Sequence, residues 1–235
     1  MELNSQKRVR IFLIRHGKTS GNIEKRYIGK RTDISLSKEG IEELKALSPQ
    51  YRSLIEGTRN SLSKSSQDDL CSEKTIYLSG SMKRCRESME TLFKGKKYHV
   101  IEDLREIDFG DFEGYNYKEL SDNPDYQKWI GSNGTIAFPN GEGREEFIRN
   151  TMVCFNDIME TYVYNTYADN KLDCPDNLVI VCHGGNIMAI MSTLTGEDYF
   201  SFQCQVGQGY ILDMEAGKGV SDVISFNRIF AGLPS

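Results

Sequence analysis

The chain has 235 residues, 38% hydrophobic and 27% charged, with 21 Gly and 5 Pro, which excludes collagen-like, low-complexity and wholly disordered classes. The length suits one domain over residues 1–235, at ~100–200 residues per domain. A net charge of −5 disfavours broad attraction to nucleic acid or an anionic membrane, so an anionic ligand would need a local basic pocket.

The first predicted strand is Val9–Ile14, a β-branched and apolar run that stops at Arg15-His16-Gly17. A helix follows from Ser37, with Ile41, Leu44, Leu47, Tyr51 and Leu54 as its apolar stripe. The Ser-rich stretch over about 57–74 reads as a solvated insertion. Thr75–Ser79 is a second strand, with Ser81 as the expected N-cap of a helix reaching about Phe93. Tyr98–Ile101 is a third strand, and His99 is read there as a strand residue. A Gly-, Asn- and Pro-rich loop over about 131–143 is placed to fold over a site. The helix from about Arg144 to Tyr167 has Ile148, Met152, Phe155, Met159 and Tyr162 as its stripe. Leu178–Cys182 repeats the opening grammar: a strand, then His183-Gly-Gly, then an apolar helix over Ile187–Leu194. Gly209–Met214 and Val220–Phe226 read as a hairpin added to the sheet. Alternation of this kind predicts a three-layer α/β/α sandwich, with a mainly parallel central sheet and helices on both faces.

No run approaches the ~18–20 apolar residues of a membrane span, and the N-terminus lacks a secretory leader, so a cytoplasmic protein is expected. The six Cys (71, 85, 154, 174, 182 and 204) are scattered without a C-x-x-C pair, which points to buried thiols rather than disulfides or zinc. Cys182, on a buried strand, is assigned to packing.

Ligands of open α/β sheets bind beyond the carboxyl ends of the strands, where helix N-termini expose N–H groups. That edge collects Arg15, His16, Arg84 and His183. Two of the three His in the chain stand there, each followed by Gly, so that Gly184 allows a ligand close to the backbone. A neutral imidazole at His16 is a competent nucleophile for phosphorus. Arg84 sits where the helix dipole disfavours a cation, and bidentate capture of phosphate explains it better than a solvated turn. Leu104–Gly114 carries Glu106, Asp108, Asp111 and Glu113. Phosphoryl transfer to a histidine needs one carboxyl as acid and then base. Lys18 stands either at a pocket mouth or toward solvent. No H-E-x-x-H, Walker motif or oxygen-ligand cluster is present, and neither metal nor cofactor is expected.

Arg15-His-Gly-Lys-Thr19, Asn22, Arg26, Gly29, Thr32-Asp33 and Leu36-Ser-Lys-Glu-Gly40 follow one another in a familiar order. Ser79–Ser88, Leu104–Gly114, Pro139–Glu142 and His183-Gly184 continue it over nearly the whole chain. The sequence resembles the histidine phosphatase, or phosphoglycerate mutase-like, superfamily, and its Leu104–Gly114 segment is closer to the alpha-ribazole phosphatase-like and broad-specificity branch than to the mutases. The resemblance implies His16 as nucleophile, Glu106 as acid and base, and Arg15, Arg84 and His183 as phosphate ligands. Asn22 is implied as a further phosphoryl contact. Gly21 stands in place of a usual Trp, Ile28 in place of Gln or Thr, and Asn150 at a frequent Arg. The implied function is hydrolysis of a small phosphate monoester by a monomer or homodimer. The alternatives are a cofactor-dependent phosphoglycerate mutase and a non-catalytic phospholigand-binding regulator.

Overall fold

The computed structural model describes residues 8–57, 74–165, 174–215 and 223–230. The strands are β1 (Arg8–Arg15), β2 (Thr75–Gly80), β3 (His99–Ile101), β4 (Asn177–Cys182), β5 (Gly209–Glu215) and β6 (Val223–Ile229). The helices are α1 (Ser20–Ile23), α2 (Lys38–Glu56), α3 (Lys83–Leu92), α4 (Pro124–Gly131), α5 (Arg144–Met159, continued by a π-helical turn to Tyr164) and α6 (Gly184–Thr195). One six-stranded sheet runs β3-β2-β4-β1-β5-β6. β1 to β4 pair in parallel, while β5 and β6 form the antiparallel hairpin expected from their sequence.

Alternation along the central strands divides the core. Ile11 and Leu13 of β1 join Leu178, Ile180 and Cys182 of β4 under α5 and α6, against Phe155, Ile158, Ile187 and Met191. Phe12, Ile14, Val179 and Val181 face the other way, against Leu44 and Tyr51 of α2 and Met89 of α3. Every residue of β4 is buried, as a central parallel strand covered on both faces requires. Each such aliphatic or aromatic side chain contributes about 1.5–3 kcal/mol by leaving water. The mainly parallel sheet with helices on both faces is therefore the architecture read from the sequence.

Four readings change in detail. Ser81 is not the N-cap of α3: Met82 is, and its first amide, Lys83 N–H, donates to Asp33 Oδ1 at 2.7 Å, so a distant carboxylate supplies the cap. Leu54 is exposed while Ile55 is buried at the end of α2. The buried face of α5 is Phe147, Thr151, Cys154, Phe155, Ile158 and Met159, turned from the expected stripe, with Ile148 and Met152 only partly buried. α6 begins at Gly184, not Ile187. The Ser-rich stretch (58–73), Tyr167 and the first residues of the predicted last strand (220–222) lie outside the described residues.

A third apolar cluster sits beyond the carboxyl edge of the sheet. It holds Ile107, Phe112, Leu120, Tyr126, Phe138 and Phe147, with Tyr27, Phe109, Trp129 and Tyr199 packed on it. α4, with Asn123 as N-cap and Pro124 at its first position, completes this cluster.

Candidate active site

β1 and β4 lie side by side in register, with Arg15 opposite Cys182. The ladder continues one step further, His16 N–H donating to the Cys182 carbonyl at 2.9 Å. His16 and His183 therefore emerge as neighbours, their ring centroids 5.3 Å apart and tilted by 66°. Both are buried. Burial, then the charges of Arg84 and Arg15, hold the His16 imidazole well below its ordinary pKa. His183 is lowered in the same way by burial, Arg84, His16 and Arg15. Both rings are thus neutral at pH 7.

His16 Nδ1 is 2.8 Å from the Gly17 carbonyl oxygen, an acceptor. Nδ1 must carry the ring proton, which leaves Nε2 with a free lone pair.

Arg84, second residue of α3, is only 1% exposed, and its guanidinium donates to the carbonyls of Thr32 at 3.0 Å and Gly29 at 3.2 Å. Arg15 donates from Nη1 to the Cys204 carbonyl at 2.8 Å, and its buried Nε has no partner. Among the described residues no carboxylate pairs with either arginine. A buried cation without an ion-pair partner is costly, so the buried Arg84 and the half-buried Arg15 both favour an anion close by.

Ser88 ties this helix to the loop that follows His16: its hydroxyl accepts from Gly17 N–H at 2.9 Å and donates to the Arg84 carbonyl. The sequence reading did not single out Ser88, although it lies on the same helical face as Arg84, four residues on.

Glu106, 9% exposed, lies on the segment after β3. Its Oε1 accepts from Ile107 N–H at 3.1 Å and Oε2 from Gly185 N–H at 3.5 Å. Burial raises its pKa, against the opposing pull of these amides and of Arg84 and Arg15. Burial thus favours the protonated acid before any ligand is bound.

The two glycines after His183 have separate reasons. A Cβ at Gly185 would lie 2.3 Å from Glu106 Oε1, and one at Gly184 would lie 3.2 Å from Arg15 Nε. Gly184 thus lets the Arg15 guanidinium lie against the start of α6, and Gly185 does the same for the Glu106 carboxyl.

Arg15, Glu106, Gly184 and Gly185 open into a cavity of about 640 Å³. Its walls include Tyr27, Phe109, Trp129, Phe138, Tyr199 and Phe200, with Arg144 and Arg228 as further cations. The loop over 131–143 reaches the cavity through Gly134 and Phe138. His16, Arg84 and His183 are buried and do not line the cavity themselves, but lie within electrostatic reach of Arg15 or Glu106, which do.

Asn22 is not part of the lining. Its Oδ1 accepts from Thr19 N–H at 3.0 Å and from Thr19 Oγ1 at 2.9 Å, closing the cap of α1. Lys18 is settled: its Nζ bonds Glu39 and Glu43 of α2, each at 2.6 Å, away from the cavity. His99 is an exposed strand residue near Tyr162, and Cys182 is packed in the core.

The unusual Gly21 and Ile28 prove to be one feature. A Cβ at Gly21 would meet Ile28 Cγ1 at 2.3 Å, so the isoleucine fills the space that a side chain at 21 would need. Asn150 donates to Glu142 Oε1 at 3.1 Å, and Glu142 Oε2 accepts from Asp108 N–H at 3.3 Å.

Cys85, Cys154, Cys182 and Cys204 are buried free thiols, and Cys85 Sγ lies 3.4 Å from His183 Nε2. Among the described residues no group of three or more His, Cys, Asp or Glu is gathered to hold a metal, and no helix is long and apolar enough to cross a membrane.

Residues 11–227 match the histidine phosphatase superfamily (branch 1). The chain belongs to that family. It is 24% identical over 231 residues to an adenosylcobalamin/alpha-ribazole phosphatase of Salmonella typhimurium, covering 94% of this chain and 98% of the relative. It is 26% identical over 197 residues to a broad-specificity phosphatase of Saccharomyces cerevisiae, covering 81% and 72%. The crystal structure of the alpha-ribazole phosphatase from Shigella flexneri shares the fold, with a TM-score of 0.70 at 20% identity over 97% of this chain and all of that one, 100%.

Proposed function

We propose that this chain hydrolyses small phosphate monoesters through a phosphohistidine formed on His16. Membership of the superfamily, together with relatives named as phosphatases, supports a hydrolase. The observation that carries the reading is the state of His16: neutral, with Nδ1–H committed to Gly17 and Nε2 free, beside two arginines that no carboxylate neutralises.

The ester dianion is held by Arg15, Arg84 and His183, with the backbone at Gly184 close by and the uncommitted Nδ2 amide of Asn22 as a further donor. His16 Nε2 forms a bond to phosphorus as the bond to the ester oxygen breaks, and Glu106 gives its proton to the leaving oxygen. Glu106, now ionised, takes a proton from water as the water oxygen bonds to phosphorus and the N–P bond breaks. Inorganic phosphate leaves, and both groups return to their starting states. These steps balance without a metal or cofactor.

The cavity volume is in the range of small-molecule sites, and its aromatic lining suits an organic leaving group. Alpha-ribazole 5′-phosphate or another phosphometabolite of that size is the proposed substrate. The relatives named above are phosphatases, which weighs against the mutase alternative.

Phosphate release from alpha-ribazole 5′-phosphate, 3-phosphoglycerate and p-nitrophenyl phosphate tests this, with chelator present. Protein trapped in alkaline denaturant during turnover should carry labelled phosphate on His16. His16→Ala should lose both label and turnover, a loss on the order of 10⁴ or more for a group on which the whole sequence of steps depends. Full activity in His16→Ala would sink the reading. Tight ester binding without turnover would favour the regulator instead.

A further inference from the structure

The charge in the cavity exceeds what one phosphate needs. In a chain of net charge −5, the charged residues lining it, among the described residues, are Arg15, Arg144 and Arg228 against Glu106 alone. A monoester dianion is matched by Arg15 and the buried Arg84 behind it. Arg144 and Arg228 are left over.

Arg144 opens α5, in the first turn, where the helix dipole works against a cation. Among the described residues its one ion-pair partner is Glu145 Oε1 at 3.9 Å, on a side chain 79% exposed, which makes a weak and screened contact. The guanidinium instead lies 5.8 Å from the Tyr199 ring centroid and 5.6 Å from that of Phe200. Tyr199 in turn donates from its hydroxyl to the Gly185 carbonyl at 3.4 Å, beside Glu106. Arg144 is therefore one aromatic ring away from the reacting end. Arg228 is held differently, by Tyr210 Oη at 2.7 and 3.1 Å and the Gln203 carbonyl at 2.8 Å, all neutral partners.

We propose that the substrate's leaving group carries a second anionic group, a carboxylate or a phosphate, and that Arg144 receives it. This rests on the monoesterase reading above. Arg228 adds field to the same wall but has most of its donors engaged. Arg144 is then a specificity-determining residue: among the small phosphometabolites considered above it selects one with charge at both ends over alpha-ribazole 5′-phosphate, whose leaving nucleoside is uncharged.

Matched pairs test the idea. Phenyl phosphate is compared with 4-carboxyphenyl phosphate and with its methyl ester, and adenosine 5′-phosphate with adenosine 3′,5′-bisphosphate. The first set reads a carboxylate and the second a phosphate. In the unmodified protein the charged member of at least one pair should have a kcat/KM about tenfold or more higher, chiefly through KM, as a charge-assisted contact gives. That ratio should fall to near one in Arg144→Gln, return partly in Arg144→Lys, and fall less in Arg228→Gln. Taking the ratio within each variant cancels any general loss of activity.

Equal kcat/KM for both members of both pairs, or an advantage that survives Arg144→Gln, overturns the proposal. If no ester is turned over, the hydrolase reading falls. Calorimetric titration with the same pairs then decides this inference separately: preferential binding of the charged member, lost in Arg144→Gln, supports it, and equal affinities refute it.

Discussion

The part of the cavity wall made by Arg15, Glu106, Gly184 and Gly185 hangs on the end of β1, the segment after β3 and the start of α6. The aromatic side opposite, including Trp129, Phe138 and Phe200 with Gly134, comes from a short helix, a loop and a 3-10 turn. In and next to the first part the polar side chains are tied to backbone: Gly17 for His16, Thr32 and Gly29 for Arg84, Ile107 and Gly185 for Glu106, and Cys204 for Arg15, whose Nε is left over. In the second the contacts are between rings, as in the Trp129–Phe138 stack at 4.8 Å. Bond-making demands fixed geometry, which strand ends provide. Choice of leaving group demands shape, which irregular chain can vary without disturbing the sheet.

If that division holds, substitutions on the strand-end side should cost turnover for every substrate. Glu106→Gln should show it most strongly: a loss of about 10²–10⁴ in kcat, smaller for p-nitrophenyl phosphate, whose leaving group needs no proton. The pH profile sharpens this. Glu106 must be protonated to act as acid, and burial raises its pKa above 4.5, so activity should fall on the alkaline side as it ionises, and Glu106→Gln should flatten that limb. The acid limb, set by His16, should lie below 6.5. Stability follows the same sign. The contribution of Glu106 is whole below about 4.5 and is lost as pH rises through its folded pKa, so Glu106→Gln should melt higher at neutral pH.

Gly185→Ala should come next, because its methyl would strike the Glu106 carboxyl. A displacement of that kind costs roughly 10²-fold in kcat. Gly184→Ala, with a looser approach to Arg15, should cost less. An unaffected Gly185→Ala enzyme would mean that Glu106 is not held where its chemistry requires. Lys18→Ala, outside both walls, marks the lower end: stability within ~0.5 kcal/mol in a melting experiment and unaltered kcat/KM.

The strand-end side was also the legible side. Arg15-His16-Gly17 and His183-Gly-Gly each follow a short apolar run, so local pattern alone placed them at one sheet edge. What the sequence hid was contact between distant segments. Asp33 caps α3 in place of Ser81 because the segment that holds Arg84 also reaches the first amide of its helix. The face of α5 was misjudged because apolar residues stand in adjacent pairs, Phe147-Ile148 and Cys154-Phe155, and because Thr151 is buried through a bond from Asn186 at 3.3 Å. α4 carries a local signal of its own, Asn123 followed by Pro124. The closeness of Arg144 to Tyr199 has no local signature at all.

The hydrogen bond from His16 N–H to the Cys182 carbonyl places the imidazole pair one rung past the end of the two best-buried strands. A ladder moves only in whole residues, so the spacing of the pair is a stepped quantity. Gradual change in the surrounding helices and loops cannot stretch it, and a slip of one residue in either strand would turn that strand's ring to the wrong face and part the pair. Amide exchange there should be among the slowest in the molecule, so loops that open to admit substrate can do so while the centre of the reaction stays folded.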